Sequence, residues 1–359
     1  MKTIHFSLLA AASLLLAAEA HAQINIHIAG AVSLQNIVYN TLASMYGSSL
    51  TNINADNTTY TKANNYTMTG TMPGVFGSQT VNIYVTWSGS GNAIQSVTGN
   101  GPCTFFASAT QGVTNQISAN ADIACSVVFQ SDYSYATPTL TDVTYGATPT
   151  IFARSISCPP SLTNLTSQTL RAIEANGSLP LSMITGNTSD SASNILWIMR
   201  DISAAHRIIS AKETGFNGNA LAYSYTNGIW GVDTVGQPTW PAIVKMLTNN
   251  YGACITFLPP TQAIYVSPTN ILSFNGVYPF RGSFNSVSND YSPTINGQYT
   301  CWGFEHIMTA PTAPIYVATF TTAFKTLLAS NFLAGTPYSV PLSQMNVTRT
   351  STGGLVTPQ

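Results

Sequence analysis

Short apolar segments of strand character alternate with amphipathic helical segments along most of this chain. Ile24–Ile28 is predicted as a strand, and apolar residues recur at helical spacing from Leu34 to Met45 directly after it. Strands that alternate with helices are typical of α/β proteins whose sheets are largely parallel. The sequence therefore predicts an α/β fold in which mostly parallel sheets are flanked by helices.

The same order of strand, turn and helix returns further along the chain. Val81–Trp87 and Ile195–Met199 are predicted as strands, and each is followed by a turn of small or polar residues and a helix. Asp122–Phe129 and Ala263–Val266 are predicted as further strands. Ligands of open α/β sheets bind at the carboxyl ends of strands, where helices begin. A binding site is therefore expected at the turns that follow these strands.

Three of these turns carry most of the candidate ligand-binding residues. They are Ala31, Val32, Ser33, Ser88, Gly89, Ser90, Gly91, Arg200, Ser203, Ala204, Ala205 and His206. The first turn of a helix presents backbone N–H groups and a partial positive charge, so it can bind an anion without a lysine. Three such turns that converge would form a selective anion pocket. The alternative is that the serines of these turns are ordinary helix N-caps.

The turn after the third strand is also rich in charge for this chain. Arg200 follows an apolar strand directly, and a guanidinium there can hold an oxyanion with two hydrogen bonds. The alternative is a salt bridge from Arg200 to Asp201 or to Glu213. The imidazole of His206 can donate to the same ligand or face solvent.

Residues 1–22 have the pattern of a cleaved signal peptide. Lys2 and His5 precede an almost purely apolar run, and Ala20-His21-Ala22 has the small residues that signal peptidase accepts. A cut after Ala22 would leave a periplasmic or secreted protein. No later stretch reaches the ~18 consecutive apolar residues of a membrane helix, so the protein is not expected to be embedded in a membrane. The alternative is that the apolar run is kept as an anchor.

Charged residues make up only 6% of the chain, against roughly 25% in ordinary globular proteins. The formal net charge is −1, which offers no basic footprint for nucleic acid and little attraction to an anionic membrane surface. A G-x-S-x-G nucleophile elbow is absent because Ser88 stands where its first glycine should be. No histidine pair has the spacing of metal ligands. We therefore expect a protein that is not an enzyme and that has no metal or cofactor.

Five cysteines follow the predicted signal peptide, namely Cys103, Cys125, Cys158, Cys254 and Cys301. Cys125 lies in an apolar run and is expected to be a buried thiol. None of the spacings is that of a zinc site. A disulfide between Cys254 and Cys301 is an alternative in an oxidising compartment, since sequence alone does not fix the pairing.

Five segments resemble, in the same order, segments of the phosphate-type periplasmic solute-binding proteins of ABC transporters. They are Ala29–Ser33, Trp87–Gly91 with Ile94 and Gln95, Asp122–Ser126, Arg200–Arg207 and Leu342–Arg349. The resemblance covers nearly the whole mature chain at low identity. It is carried by the order of the segments.

The resemblance implies a type 2 periplasmic-binding-protein-like fold, with two α/β lobes joined by a two-strand hinge. Residues 23–148 together with 268–359 would form the first lobe, and residues 149–267 the second. The ligand would lie between the lobes, and closure would present the protein to an ABC permease. Its contacts would include Ser33, Ser90, Arg200 and the residues that follow Arg200. Ser126 is a further candidate ligand-binding residue.

The chain departs from that family at two places in the site. Val127 stands near the position of an aspartate that accepts the proton of phosphate, and Ala204-Ala205-His206 replaces Ser-Gly-Thr. Each lost hydroxyl donor would contribute about 1.5–3 kcal/mol to anion binding. The sequence thus predicts an exported protein that binds phosphate, another small oxyanion or a polar solute for an ABC-type importer. The alternative is a secreted or cell-surface structural or adhesive protein that keeps the scaffold without transport.

Overall fold

The computed structural model describes residues 23–333 and 337–359, so the predicted signal peptide lies outside the described residues. The strands are β1 (Ile24–Gly30), β2 (Leu50–Ala55), β3 (Asn65–Thr71), β4 (Thr80–Thr86), β5 (Cys103–Phe106), β6 (Gln116–Ala119), β7 (Ile123–Ser126), β8 (Thr141–Pro149), β9 (Ile151–Arg154), β10 (Asn164–Leu165), β11 (Ser178–Pro180), β12 (Asn194–Trp197), β13 (Tyr223–Thr226), β14 (Ile229–Val232), β15 (Cys254–Leu258), β16 (Ile271–Phe274), β17 (Trp302–Thr309), β18 (Val340–Pro341), β19 (Val347–Thr348) and β20 (Thr357–Pro358).

Helices of very different length connect these strands. They are α1 (Gln35–Tyr46), α2 (Pro73–Phe76), α3 (Ser90–Val97), α4 (Ser167–Asn176), α5 (Ser182–Thr185), α6 (Ala205–Thr214), α7 (Trp240–Thr248), α8 (Pro260–Ala263), α9 (Ser292–Ile295) and α10 (Ile315–Leu333). Helices α4 and α6 end at Gly177 and Gly215, whose φ angles of 72° and 66° reverse the chain in the left-handed region.

The first sheet has eight strands in the order β18-β8-β17-β7-β1-β4-β3-β2. β1 lies at its centre and runs parallel to both β4 and β7. The carboxyl ends of these three strands therefore meet at one edge of the sheet. Helices α1 and α10 pack against each other, and α3 packs against β1 and β7. We call the part of the chain built on this sheet the first lobe.

The second sheet has six strands in the order β10-β16-β9-β15-β12-β11. β12 and β15 run parallel, as do β10 and β16, whereas β9 is antiparallel to both of its neighbours. Helix α4 packs against α6, and α7 packs on β15. We call the part built on this sheet the second lobe.

The expected two-lobed α/β architecture is confirmed, but the expectation of mostly parallel sheets is wrong. In the first sheet β2, β3 and β4 pair antiparallel, as do β7, β17, β8 and β18. Parallel neighbours need a long crossover connection, whereas antiparallel neighbours need only a short one. The segments that join β2, β3 and β4 are short, so these strands form a meander and the sheet is mixed.

The chain passes from the first sheet to the second at Thr150, the one residue between β8 and β9. Its backbone N–H donates to the carbonyl of Cys301 at 2.9 Å, and the Tyr299 hydroxyl donates to the carbonyl of Thr150. Cys301 directly precedes β17, where the chain has returned to the first sheet. The two crossing segments are therefore hydrogen-bonded to each other at the hinge.

Several local predictions need correction. Ala263–Val266 is not a strand, because α8 and a turn occupy this segment after Pro259 and Pro260. β17 was not predicted, although all of its residues are buried. The second sheet continues to Phe274, beyond the expected limit of the second lobe at residue 267; the residue boundaries of the lobes otherwise stay a prediction.

All five cysteines are free and buried, so no disulfide joins Cys254 to Cys301. Cys125 is fully buried at the end of β7, as its apolar surroundings predicted. Burial raises the pKa of its thiol to about 12. This thiol is therefore protonated and inert at neutral pH.

Gly30 ends β1 at a point where the structure leaves no room for a side chain. A Cβ there would lie 2.6 Å from the carbonyl oxygen of Cys125 and 2.8 Å from the Trp87 ring. We expect Gly30→Ala to lower the free energy of unfolding by about 1–3 kcal/mol, because the backbone of β7 cannot yield. Urea denaturation measures the change. Gly74→Ala is the matched control, since a Cβ there meets nothing within 4 Å; equal losses in both variants would contradict the packing described.

Candidate functional site

A small cavity lies where the carboxyl ends of β1 and β4 in the first lobe face the turn after β12 in the second. It is lined by Ala31, Val32, Ser33, Gly89, Ser90, Arg200, Ala204, Ala205, His206 and Trp240. The structure therefore brings nine of the predicted site residues together. The cavity volume is about 10 Å³, which is room for about one water molecule.

Ser33 has a buried side chain, only 6% exposed, whose Oγ has no hydrogen-bond partner among the described residues. It caps no helix, because the N-cap of the 3₁₀ turn Val32–Leu34 is Ala31 and the N-cap of α1 is Leu34. An unpaired buried hydroxyl costs about 1–3 kcal/mol. The cavity thus has a buried polar atom that forms no hydrogen bond with the described residues.

The N-cap interpretation is also wrong for the other serines of these turns. Gly89 is the N-cap of α3 and Ala204 that of α6, and neither helix has a side-chain cap. The Oγ of Ser90 instead accepts the backbone N–H of Val127 at 3.2 Å. Ser88 contacts the thiol of Cys103 at 3.6 Å.

Arg200 is 5% exposed and is held by contacts within its own lobe. Its Nη2 donates to Asp201 at 2.9 Å, which is the salt bridge weighed from the sequence. Its Nε donates to the carbonyl of Gln237 at 2.8 Å, and its guanidinium lies 4.6 Å above the ring of Trp240. The guanidinium lines the cavity with its plane already fixed by these three contacts.

His206 lies at the start of α6 and is 3% exposed, so the alternative that it faces solvent is wrong. Its Nδ1 is 2.8 Å from Thr150 Oγ1, and its Nε2 has no partner among the described residues. Burial, and secondly the charge of Arg200, lower the pKa of this imidazole to about 3. His206 is therefore neutral at physiological pH and offers a hydrogen bond but no charge.

The two lobes touch where Ser203 meets the turn after β4. The Ser203 carbonyl accepts the N–H of Gly91 at 3.0 Å and the hydroxyl of Tyr133 at 3.1 Å. The Ser203 hydroxyl donates to Asp201 Oδ1, and its oxygen lies 3.2 Å from the carbonyl oxygen of Ser88. Gly89 has a φ of 103°, and a Cβ on it would lie 2.6 Å from Ser203 Oγ, so only glycine permits this contact.

Four predicted site residues do not line the cavity. Ser88, Gly91 and Ser203 form the contact between the lobes, and the Gly91 N–H expected to bind an anion is taken by Ser203. Ser126 lies in the buried end of β7, where its Oγ donates to the carbonyl of Val128 at 2.7 Å. Their hydrogen-bonding groups are used within the protein.

Sequence reasoning missed Trp240 and a much larger cleft beside the cavity. Trp240 begins α7 and lines both spaces. The cleft has a volume of about 820 Å³, with first-lobe residues that include Lys62 and Asn64 and second-lobe residues that include Lys245 and Tyr265. Its residues come from segments far apart in sequence, so no local pattern marks them.

No helix within residues 23–333 and 337–359 is long and apolar enough to cross a membrane. In the same part of the chain, no three residues among His, Cys, Asp and Glu are grouped in a way that could hold a metal ion.

Comparison with known proteins supports the fold. The sequence matches no family model and no curated protein. The chain is similar to a protein described as a phosphate ABC transporter substrate-binding protein from Clostridium perfringens with bound phosphate, at 11% identity and a TM-score of 0.55, over 89% of this chain and 99% of that one. It is also similar to an ABC-type phosphate transport receptor from Vibrio cholerae, at 15% identity and a TM-score of 0.49, over 86% and 97%. The first likeness confirms the type 2 periplasmic-binding-protein-like fold, and the fold alone.

The low pKa of His206 makes stability depend on pH. The His206 imidazole binds a proton near pH 6.5 in the unfolded chain but only near pH 3 in the folded chain. The stability that this difference contributes is therefore fully present above about pH 6.5 and is lost as pH falls. Between pH 7 and pH 5 we expect the free energy of unfolding to fall by about 2 kcal/mol more in the wild type than in His206→Asn, a variant that keeps an amide near Thr150. Urea denaturation of both proteins at the two pH values measures this. An unchanged pH dependence would contradict a buried neutral imidazole.

Proposed function

We propose that this chain is an exported solute-binding protein that holds phosphate, another small oxyanion or a polar solute between its lobes for an ABC-type importer. The fold is shared with a solved structure described as a phosphate ABC transporter substrate-binding protein with bound phosphate. Because that likeness concerns the fold alone, the proposal depends on the cavity itself. An ABC permease is the partner that this function would require.

The observation that carries the proposal is the pair of unpartnered polar atoms at the cavity. Ser33 Oγ and His206 Nε2 are both buried without a hydrogen-bond partner, and both residues line the same space as Arg200. Buried polar groups are nearly always paired, and exceptions call for an explanation such as a ligand. An anion with several acceptor oxygens would pair the hydroxyl, and the imidazole if its Nε2 carries the proton.

Binding requires movement of the turn that carries Ser203. About 10 Å³ is too little for a tetrahedral oxyanion, so this turn must withdraw from Ser88–Gly91 to admit one. Withdrawal would also release the N–H of Gly91. Among the described residues no carboxylate lines the cavity, so hydrogen phosphate would find no charged acceptor for its proton there. We therefore expect sulfate to bind about as well as phosphate.

The alternative function, a structural or adhesive protein on the binding-protein scaffold, has one observation in its favour. The Ser203 carbonyl already satisfies the Gly91 N–H, and Arg200 is engaged by Asp201 and Gln237. These contacts hold the cavity shut without a ligand. A protein that had lost transport would be free to keep them permanently.

Ser33→Ala distinguishes the two functions, because the Ser33 hydroxyl forms no hydrogen bond with the described residues. We expect the variant to be as stable as the wild type or up to about 2 kcal/mol more stable, since it removes an unsatisfied buried group. We expect it to bind phosphate or sulfate about tenfold or more weakly, because a hydrogen bond to a charged ligand is lost. A thermal-shift titration with both anions measures the two effects together.

Ser96→Ala is the matched control for this experiment. Ser96 is also fully buried, but its Oγ accepts the N–H of Ala121 at 2.7 Å and it does not line the cavity. Its loss should lower stability and leave anion affinity unchanged. Absence of any anion-dependent shift in the wild-type protein would sink the oxyanion proposal, and an unchanged affinity in Ser33→Ala would remove Ser33 from the site.

A further inference from the structure

We propose that the wide cleft beside the cavity binds a hydroxyl-rich organic anion, a sugar ring that carries one anionic group. This inference rests on the proposed function, because it assigns the class of solute to the same opening between the lobes. The cleft and the small cavity share Val32, Arg200 and Trp240. A ligand in the cleft can therefore place its anionic group next to the cavity.

The size of the cleft exceeds what an inorganic oxyanion fills. Its volume of about 820 Å³ lies within the range of roughly 300–1,000 Å³ that is typical of sites for organic ligands. Its walls come from both lobes, with the start of α1 and the segment 57–64 on one side and α7 with α8 on the other. A ligand in this space would contact both lobes at once.

The charge of the cleft selects an anion. Within residues 23–333 and 337–359, the charged residues that line it are Lys62, Arg200 and Lys245, with no aspartate or glutamate. Arg200 is neutralised by Asp201, but neither lysine forms an ion pair within the described residues. The cleft therefore has a positive potential, which concentrates anions, in a protein whose formal net charge is −1.

The remaining polar lining suits hydroxyl groups. Six side-chain amides line the cleft: Gln35, Asn36, Asn57, Asn64, Asn249 and Gln262. Four of them use one group in a hydrogen bond within the protein, namely the amide nitrogens of Gln35 and Asn249 and the amide oxygens of Asn36 and Asn57. Each side-chain amide offers N–H donors and a carbonyl acceptor, and each sugar hydroxyl can likewise both donate and accept a hydrogen bond. A bare oxyanion could use only the donors. The number of amides therefore favours a ligand with many hydroxyls over a small inorganic ion.

Two tyrosines line the cleft, and one of them has a substantially exposed ring. Tyr265 is 44% exposed and belongs to the second lobe, and Tyr338 lines the cleft from the first. Lys62 Nζ of the first lobe lies 5.5 Å from the centre of the Tyr265 ring. The contact brings a cation of one lobe to an aromatic face of the other. A sugar ring can lie against the exposed part of the Tyr265 ring while its anionic group meets the lysine.

Isothermal titration calorimetry on the full mature chain tests the inference with four probes. These are glucose 6-phosphate, galacturonate, neutral glucose and inorganic phosphate. We expect at least one of the two sugar anions to bind at least about tenfold more tightly than phosphate and than glucose, with an affinity that falls as salt is added. We expect the double variant Lys62→Met, Lys245→Met to weaken this binding about tenfold. Lys325→Met, on α10 outside the cleft, is the control and should change nothing.

The outcomes separate this inference from the proposed function. Inorganic phosphate that binds as tightly as both sugar anions, with no effect of the lysine variant, would overturn the inference and leave the proposed function standing. Glucose that binds as tightly as the sugar anions would overturn the inference that the ligand carries an anionic group. If none of the four probes binds, both proposals fail. Thermal denaturation of each variant shows whether it is folded.

Discussion

The contact of Ser203 with the Ser88–Gly91 turn is the interaction on which the rest of this site depends. It joins the lobes at the strand ends, beside the cavity of about 10 Å³. The carbonyl of Ser203 occupies the N–H of Gly91, a group that could otherwise bind an anion. In the proposed function, an anionic solute would compete with the Ser203 carbonyl for this N–H.

Two ion pairs also join the second lobe to the first. Lys212 and Glu213, at the end of α6, pair with Asp132 and Arg349 of the first lobe at 3.8 and 3.3 Å. The guanidinium of Arg349 also lies 4.2 Å above the ring of Trp302. Helix α6 is thus held by the first lobe at its far end, while Ser203 holds the chain just before its start. Movement of the lobes would strain contacts at both ends of this helix.

Much of the fold was predictable because its strands and helices are marked by local apolar patterns. β1, β4, β12 and the helices behind them follow such patterns, and the turns after them do converge. Strand direction was not predictable, since it depends on pairing between distant segments, and β17 was hidden in a stretch rich in polar and aromatic residues. Most of the predicted site residues line one cavity, but their role in binding stays a prediction. Nothing local shows that Ser203 would occupy the N–H of Gly91, or that Trp240 and Lys62 would line the cleft.

The most direct test of the account is equilibrium dialysis of the wild-type protein against radiolabelled phosphate, sulfate and glucose 6-phosphate. The account predicts saturable retention of at least one of them, with one ligand per chain, because the lobes form one cleft between them. No retention of any of the three at millimolar concentration would contradict it. The contact at Ser203 would then be permanent, and the protein would be a scaffold without a solute.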